Sequence, residues 1–205
     1  MRGPRRAGKS LLMRAIRDPD VLALATISTT LQAEYASDEL QWVGSPFAWI
    51  KTRPSRQVGT IGERLVAGWL AAKDFDVVRS PDSDADRLVN GHRVEIKFST
   101  LWKSGIYKFQ QLRDQNYAFA ICLGISPLDA HCWVIPKSAI LDRWKASVAS
   151  GREVDGIQPQ HGGADGRDTA WLSLAPDAPP SWLAVHGGRL AEAAMFLARN
   201  ARRSK

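Results

Sequence analysis

Apolar positions recur at a helical period in the first third of this chain and at a period of two in its middle. Residues 21–35 run without Gly or Pro behind Asp18-Pro19-Asp20. That triplet predicts a helix start, with proline at an early position and acids near the positive end of the helix dipole. Gly44-Ser45-Pro46 interrupts the pattern, and Lys51, Arg53 and Arg56 around Pro54 read as a basic linker over residues 51–57. Thr60 then predicts a helix cap, with Glu63 at capping-box spacing. Leu65, Val66, Trp69 and Leu70 continue that helix at its own period.

Alternation takes over after residue 74. Residues 75–78 predict a short strand. Residues 86–89, Asn90-Gly91 and residues 92–98 predict a hairpin, because Asn-Gly between β-prone runs is the strongest short-range hairpin signal. Residues 107–114 are expected to form a short helix. Residues 117–125 and 131–135 are apolar runs bounded by turns, hence strands of a buried sheet. Residues 138–148 predict a closing helix. Residues 151–168 read as a loop, 170–174 as a strand, 176–180 as a turn and 189–201 as a helix. The expected organisation is a helical accessory segment (1–57), an α/β core (58–149) and a C-terminal extension of loop, strand and helix (150–205).

Composition adds a direction. The chain has 205 residues, 44% hydrophobic and 24% charged, with a net charge of +7. A basic surplus of that size favours polyanions, and nucleic acid is the commonest of those. The two cysteines, Cys122 and Cys132, are too few for a disulfide scaffold or a four-cysteine zinc site. Both lie in apolar runs and are expected to be buried thiols. No stretch approaches the roughly 20 apolar residues of a membrane span, and no signal peptide is evident. The expected location is cytoplasmic, without a membrane partner.

The hairpin supplies the chemistry. With a two-residue turn at Asn90-Gly91, Val89 faces His92, Leu88 faces Arg93, Arg87 faces Val94, and Asp86 faces Glu95. Glu95 and Lys97 then share one face of the strand, Asp86 joins them, and Val94, Ile96 and Phe98 form the core face behind. Two opposed carboxylates repel unless a cation lies between them. Hard oxygen donors suit Mg²⁺, and a lysine beside the metal stabilises the negative charge that builds on a phosphate under attack. These are the parts of metal-assisted phosphodiester hydrolysis. A bare Glu-x-Lys is common on solvated edge strands; the opposed Asp86 and the apolar face behind the triplet set this one apart.

The residues that carry this chemistry resemble the PD-(D/E)XK nuclease superfamily, which includes restriction endonucleases and Holliday-junction resolvases. Gly59-Thr60-Ile61-Gly62-Glu63 resembles the family's first helix, Ser80-Pro81-Asp82 leads to Asp86 and the hairpin, and Val94-Glu95-Ile96-Lys97-Phe98-Ser99 resembles its catalytic strand. Tyr107-Lys108-Phe109-Gln110-Gln111 sits where members carry a glutamine-containing helix. The resemblance covers about residues 58–140. It implies a restriction-endonuclease-like α+β core, a mixed central sheet flanked by helices. It implies Asp86 and Glu95 as ligands of Mg²⁺ (with Mn²⁺ able to substitute) and Lys97 as the water-orienting lysine. Glu63 and Gln111 (or Gln110) would be accessory groups. The literal Pro-Asp is Pro81-Asp82, and Asp84 is also near; Asp86 is preferred because it alone falls opposite Glu95. The implied activity is a DNA endonuclease, of restriction type on duplex DNA and working as a homodimer. A resolvase or repair nuclease, and a non-catalytic DNA-binding subunit of a defence complex, are the alternatives. Arg53, Arg56, Arg64, Lys103 and Lys108 are expected phosphate contacts; Trp42, Trp49, Trp102, Trp133 and Trp144 read as core candidates, with DNA contact the alternative for Trp102.

Other signals are set aside. Residues 3–10, Gly-Pro-Arg-Arg-Ala-Gly-Lys-Ser, match a Walker A loop. Such a loop works between a buried strand and a helix, and only Met1 and Arg2 precede it, so no nucleotide cofactor is expected. His161-Gly162-Gly163 and His186-Gly187-Gly188 read as turns. Arg199, Arg202, Arg203 and Lys205 suit the negative end of the last helix.

Overall fold

A computed structural model describes residues 18–162 and 166–201. The Walker-like segment, Gly163, Arg202, Arg203 and Lys205 lie outside the described residues. The chain divides into two units, residues 1–41 and 42–205. In the first, helix α1 (Pro19–Leu40) starts where the sequence predicts. The Asp18 carboxylate accepts the amides of Asp20 at 2.8 Å and Val21 at 3.2 Å, filling two of the donors a helix start leaves open.

The second unit is a mixed α/β fold. Helices α2 (Ala48–Lys51) and α3 (Ser55–Ala71) precede strands β1 (Val77–Arg79), β2 (Arg87–Val89) and β3 (His92–Thr100). Strands β4 (Tyr107–Leu112), β5 (Phe119–Ile125) and β6 (Ala130–Pro136) follow, then helix α4 (Lys137–Ser150). Strands β7 (Ile157–Gln160) and β8 (Thr169–Leu174), a 3₁₀ turn (Ser181–His186), β9 (Gly187–Arg189) and helix α5 (Leu190–Asn200) complete it. A six-stranded sheet runs β1-β2-β3-β5-β6-β9, and a three-stranded sheet runs β4-β8-β7. Among the described residues only β3 and β5 pair in parallel. A parallel pair needs a long crossover, and here the crossover contains β4.

Alternation along the strands builds two cores. Val94, Ile96, Ile121, Leu123 and Val134 point towards α3 and α5, where Val66, Leu70, Ala193 and Leu197 meet them. Ala120, Cys122, Trp133 and Ile135 point the other way, onto the second sheet and Ile140 of α4. The central mixed sheet flanked by helices is thus as expected. Cys122 and Cys132 are free and buried, and burial pushes the Cys122 thiol up to about 12. Among the described residues no helix is long and apolar enough to cross a membrane.

Several local expectations are corrected. Residues 107–114 do not form a helix; β4 is a strand with an extra residue. Phe109 pairs with Leu172 and Leu112 with Ala170, so three steps on β4 match two on β8. Gln111, at φ 57°, absorbs the difference. Helix α3 starts at Ser55, not at Thr60. Pro54 sets an extended entry at ψ 145° and its carbonyl accepts the amides of Gln57 and Val58. Thr60 instead donates to the Arg56 carbonyl at 3.4 Å inside the helix. The expected basic linker is therefore shortened to residues 52–54 between two helices. The loop expected at 151–168 contains β7, and Gly187-Gly188 is an edge strand on β6, not a turn. A Cβ at Gly187 would collide with the Cys132 carbonyl oxygen, so only glycine lets β9 approach. Strands from residues 150–205 therefore belong to both sheets.

Gly62 fixes how α3 meets β3. A Cβ there would fall inside Phe98 Cβ and Cγ on β3. Gly62→Ala is expected to cost about 1–3 kcal/mol through overpacking. The measurement is urea denaturation, with an earlier midpoint and an unchanged slope.

Candidate active site

The hairpin register is the predicted one: Val89 opposite His92, Leu88 opposite Arg93, Arg87 opposite Val94. Asn90 and Gly91 both take positive φ, 49° and 84°, as a type I′ turn requires. Asp86 departs from the expected pairing with Glu95: its amide donates at 3.0 Å to the carbonyl of Val94, which Arg87 already opposes. Its carboxylate then turns back, Oδ2 accepting the Ile96 amide at 2.6 Å. The side chain thus takes over a backbone bond where β2 has ended, while β3 runs on to Thr100. The edge of β3 beyond Asp86 opens into a cleft of about 660 Å³.

That cleft brings the expected residues together. Glu63, Asp86, Lys97, Gln110 and Gln111 line it, as do Arg53, Arg56 and Lys108. On a regular strand Gln110 and Gln111 would face opposite ways; the bulge turns both into the cleft. Glu95 sits behind, 6% exposed, with its Oε1 accepting Lys97 Nζ at 2.6 Å. Burial raises the Glu95 carboxyl above its ordinary range, Lys97 pulls it back, and the Asp86 charge raises it again. Glu63 is raised for the same reasons, burial first and Asp86 second, with Arg87 opposing. Arg87 reaches Glu63 at 3.4 Å and donates to the Asp86 carbonyl at 2.7 Å.

The other candidates for the first acid lie elsewhere. Asp82 is held by the Arg93 guanidinium at 2.5 and 2.7 Å, which keeps its carboxyl below the usual range. Neither Asp82 nor Asp84 lines the cleft. Arg64 lines a neighbouring cleft of about 480 Å³ that shares Arg53 and Arg56 with the first. Lys103 lines neither cleft.

Three participants were not foreseen as site residues. Lys51, at the end of α2, lines the cleft with its ammonium 4.8 Å from the Trp42 ring centre. Arg87 ties Glu63 to the hairpin. Tyr117 is buried, its hydroxyl has no hydrogen-bond partner, and the Glu95 charge helps to raise its pKa after burial does. Lys51 and Arg87 adjoin motif residues in sequence; nothing local marks Tyr117.

Among the described residues no group of three or more His, Cys, Asp or Glu side chains is close enough to hold a metal ion. Asp86 and Glu95 are the pair of hard oxygen donors that could hold one, and a cation would relieve their repulsion. One or two carboxylates with water in the remaining positions is the way proteins hold Mg²⁺. No known protein-family model matches the chain, and no curated protein matches it.

Proposed function

We propose that this protein is a Mg²⁺-dependent DNA endonuclease of the PD-(D/E)XK type. The observation that carries the reading is the closeness of three charged groups: Lys97 bonds Glu95 at 2.6 Å, the Asp86 charge acts on Glu95, and Asp86 and Lys97 line one cleft rich in cations. Asp86 and Glu95 would hold the ion, each already fixed by one hydrogen bond, to the Ile96 amide and to Lys97. Bound there, Mg²⁺ would lower the pKa of a water and polarise a phosphoryl oxygen. Lys97 favours the ionised form of Glu95 and sets a positive charge where the attacked phosphate gains negative charge. Gln110 and Gln111 present amides to the same space. Arg53, Arg56 and Lys108 offer phosphate contacts along the walls.

The reading is tested by incubating the protein in Mg²⁺ with single-stranded DNA and, separately, with duplex plasmid, cleavage of either counting for it. Cleavage is expected with Mg²⁺ or Mn²⁺ and is expected to vanish with EDTA. An undiminished reaction in EDTA would overturn the metal-dependent mechanism.

A further inference from the structure

Two tryptophans line the candidate active-site cleft and the cleft that adjoins it. Trp102, in the turn after β3, lines the main cleft and is 45% exposed; Trp49, in α2, lines the neighbouring cleft and is 49% exposed. Both rings stand half in water, whereas Trp42 and Trp133 are buried in the cores. Each ring carries a cation over one face. Lys108 Nζ lies 4.4 Å from the Trp102 ring centre, and the Arg53 guanidinium lies 5.9 Å from that of Trp49. The two clefts meet along Arg53 and Arg56. The smaller contains Arg64 as well and no acid. The start of α3 at Ser55 contributes to this track, since Arg56, Thr60 and Arg64 recur every four residues on one helix face.

Cations along a groove follow a phosphate backbone whatever its strandedness. Aromatic platforms add a selection. A base offers its ring face to a side chain only when it is out of the duplex stack, and stacking then tolerates any base. We infer that the strand this site takes is single-stranded DNA, with unpaired bases stacked on Trp102 in the main cleft and on Trp49 in the adjoining one. The inference rests on the nuclease reading and specifies its substrate, in place of the duplex expected from the sequence resemblance.

The experiment is fluorescence anisotropy in EDTA with three labelled probes of equal length: oligo-dT, an abasic strand with the same phosphates, and a duplex. Wild-type protein is expected to bind oligo-dT more tightly than either of the others. Trp102→Ala and Trp49→Ala are each expected to weaken oligo-dT binding by about tenfold and to leave abasic binding unchanged. Trp→Phe should restore most of the loss, because the stacking face returns. Half-exposed side chains make these variants safe for folding, which circular dichroism checks. Equal losses on oligo-dT and the abasic strand, or a duplex bound as tightly as oligo-dT, would overturn the inference. Because binding is read without metal, the two readings fail separately. Tryptophan-dependent binding without Mg²⁺-dependent cleavage sinks the nuclease reading alone. Cleavage of duplex with indifferent tryptophan variants sinks this one alone.

Discussion

Lys97→Ala is expected to slow DNA cleavage by about 10²–10³-fold, the usual loss when one group facing transition-state charge is removed. Lys97 is 17% exposed and 2.6 Å from Glu95, so the substitution acts twice. It removes the charge nearest the proposed point of attack, and it removes the largest influence holding the Glu95 carboxyl down. Glu95 would then keep its proton to still higher pH and ligate metal more poorly. The activity profile of the variant should accordingly move to the alkaline side. Lys97→Arg keeps the charge but spreads it over a planar fork that does not fit the same point, so only part of the rate should return. Asp86→Asn is the companion variant. Its amide oxygen can still accept the Ile96 N–H, so the fold holds while one carboxylate is lost. Single-turnover cleavage of end-labelled DNA at saturating protein measures both. An unchanged rate in Lys97→Ala would sink the mechanism.

The site was legible because one dipeptide fixed it. Asn90-Gly91 allows a two-residue turn whose register sets the faces of residues 87–89 and 92–94, and Glu95 and Lys97 follow along β3. Asp86 lies beyond the paired residues, where its amide meets Val94 rather than Glu95. The core face of Val94, Ile96 and Phe98 followed for the same reason. β4 was not legible, because its bulge spaces Phe109 and Leu112 by three, a helical interval. Tyr107 and Phe109 carry the period-two signal, but only for one step before Gln111 breaks it. β9 was missed because Gly187-Gly188 has no side-chain pattern, and it is a strand only through pairing with β6. The start of α3 was masked by a plausible capping box at Thr60 and Glu63. Glu63 instead lines the cleft and pairs with Arg87, a role that spacing alone did not separate from capping. The place of Tyr117 beside Glu95 depends on β5 lying next to β3, a long-range pairing that no local pattern reports.

Glu95→Gln is expected to abolish cleavage and yet raise the melting temperature at pH 8. Glu95 is 6% exposed. Burial lifts its pKa above the ordinary 4.5, Asp86 adds to the lift, and Lys97 opposes without cancelling it. Between the unfolded and folded pKa the native state binds more protons than the unfolded state, so unfolding free energy falls as pH rises through that window. The contribution of Glu95 is complete below the unfolded pKa and is lost as pH rises through the folded one. Glutamine has the shape of the protonated acid and can still accept the Lys97 ammonium, so it escapes the loss. An advantage of about 1 kcal/mol would appear as roughly 2–4 °C in a chain of this length. The gap between variant and wild type should open as pH rises and close near pH 4. Glu63 shifts in the same direction, but its side chain is 29% exposed and Arg87 is 3.4 Å away, so Glu63→Gln should show less. Mg²⁺ separates charge strain from packing. An ion that binds only the folded state stabilises it, so Mg²⁺ should raise the melting temperature of wild type and leave Glu95→Gln where it was. A variant less stable than wild type at pH 8 would mean that the Lys97 ion pair outweighs burial, and that Glu95 stabilises the fold it was expected to strain.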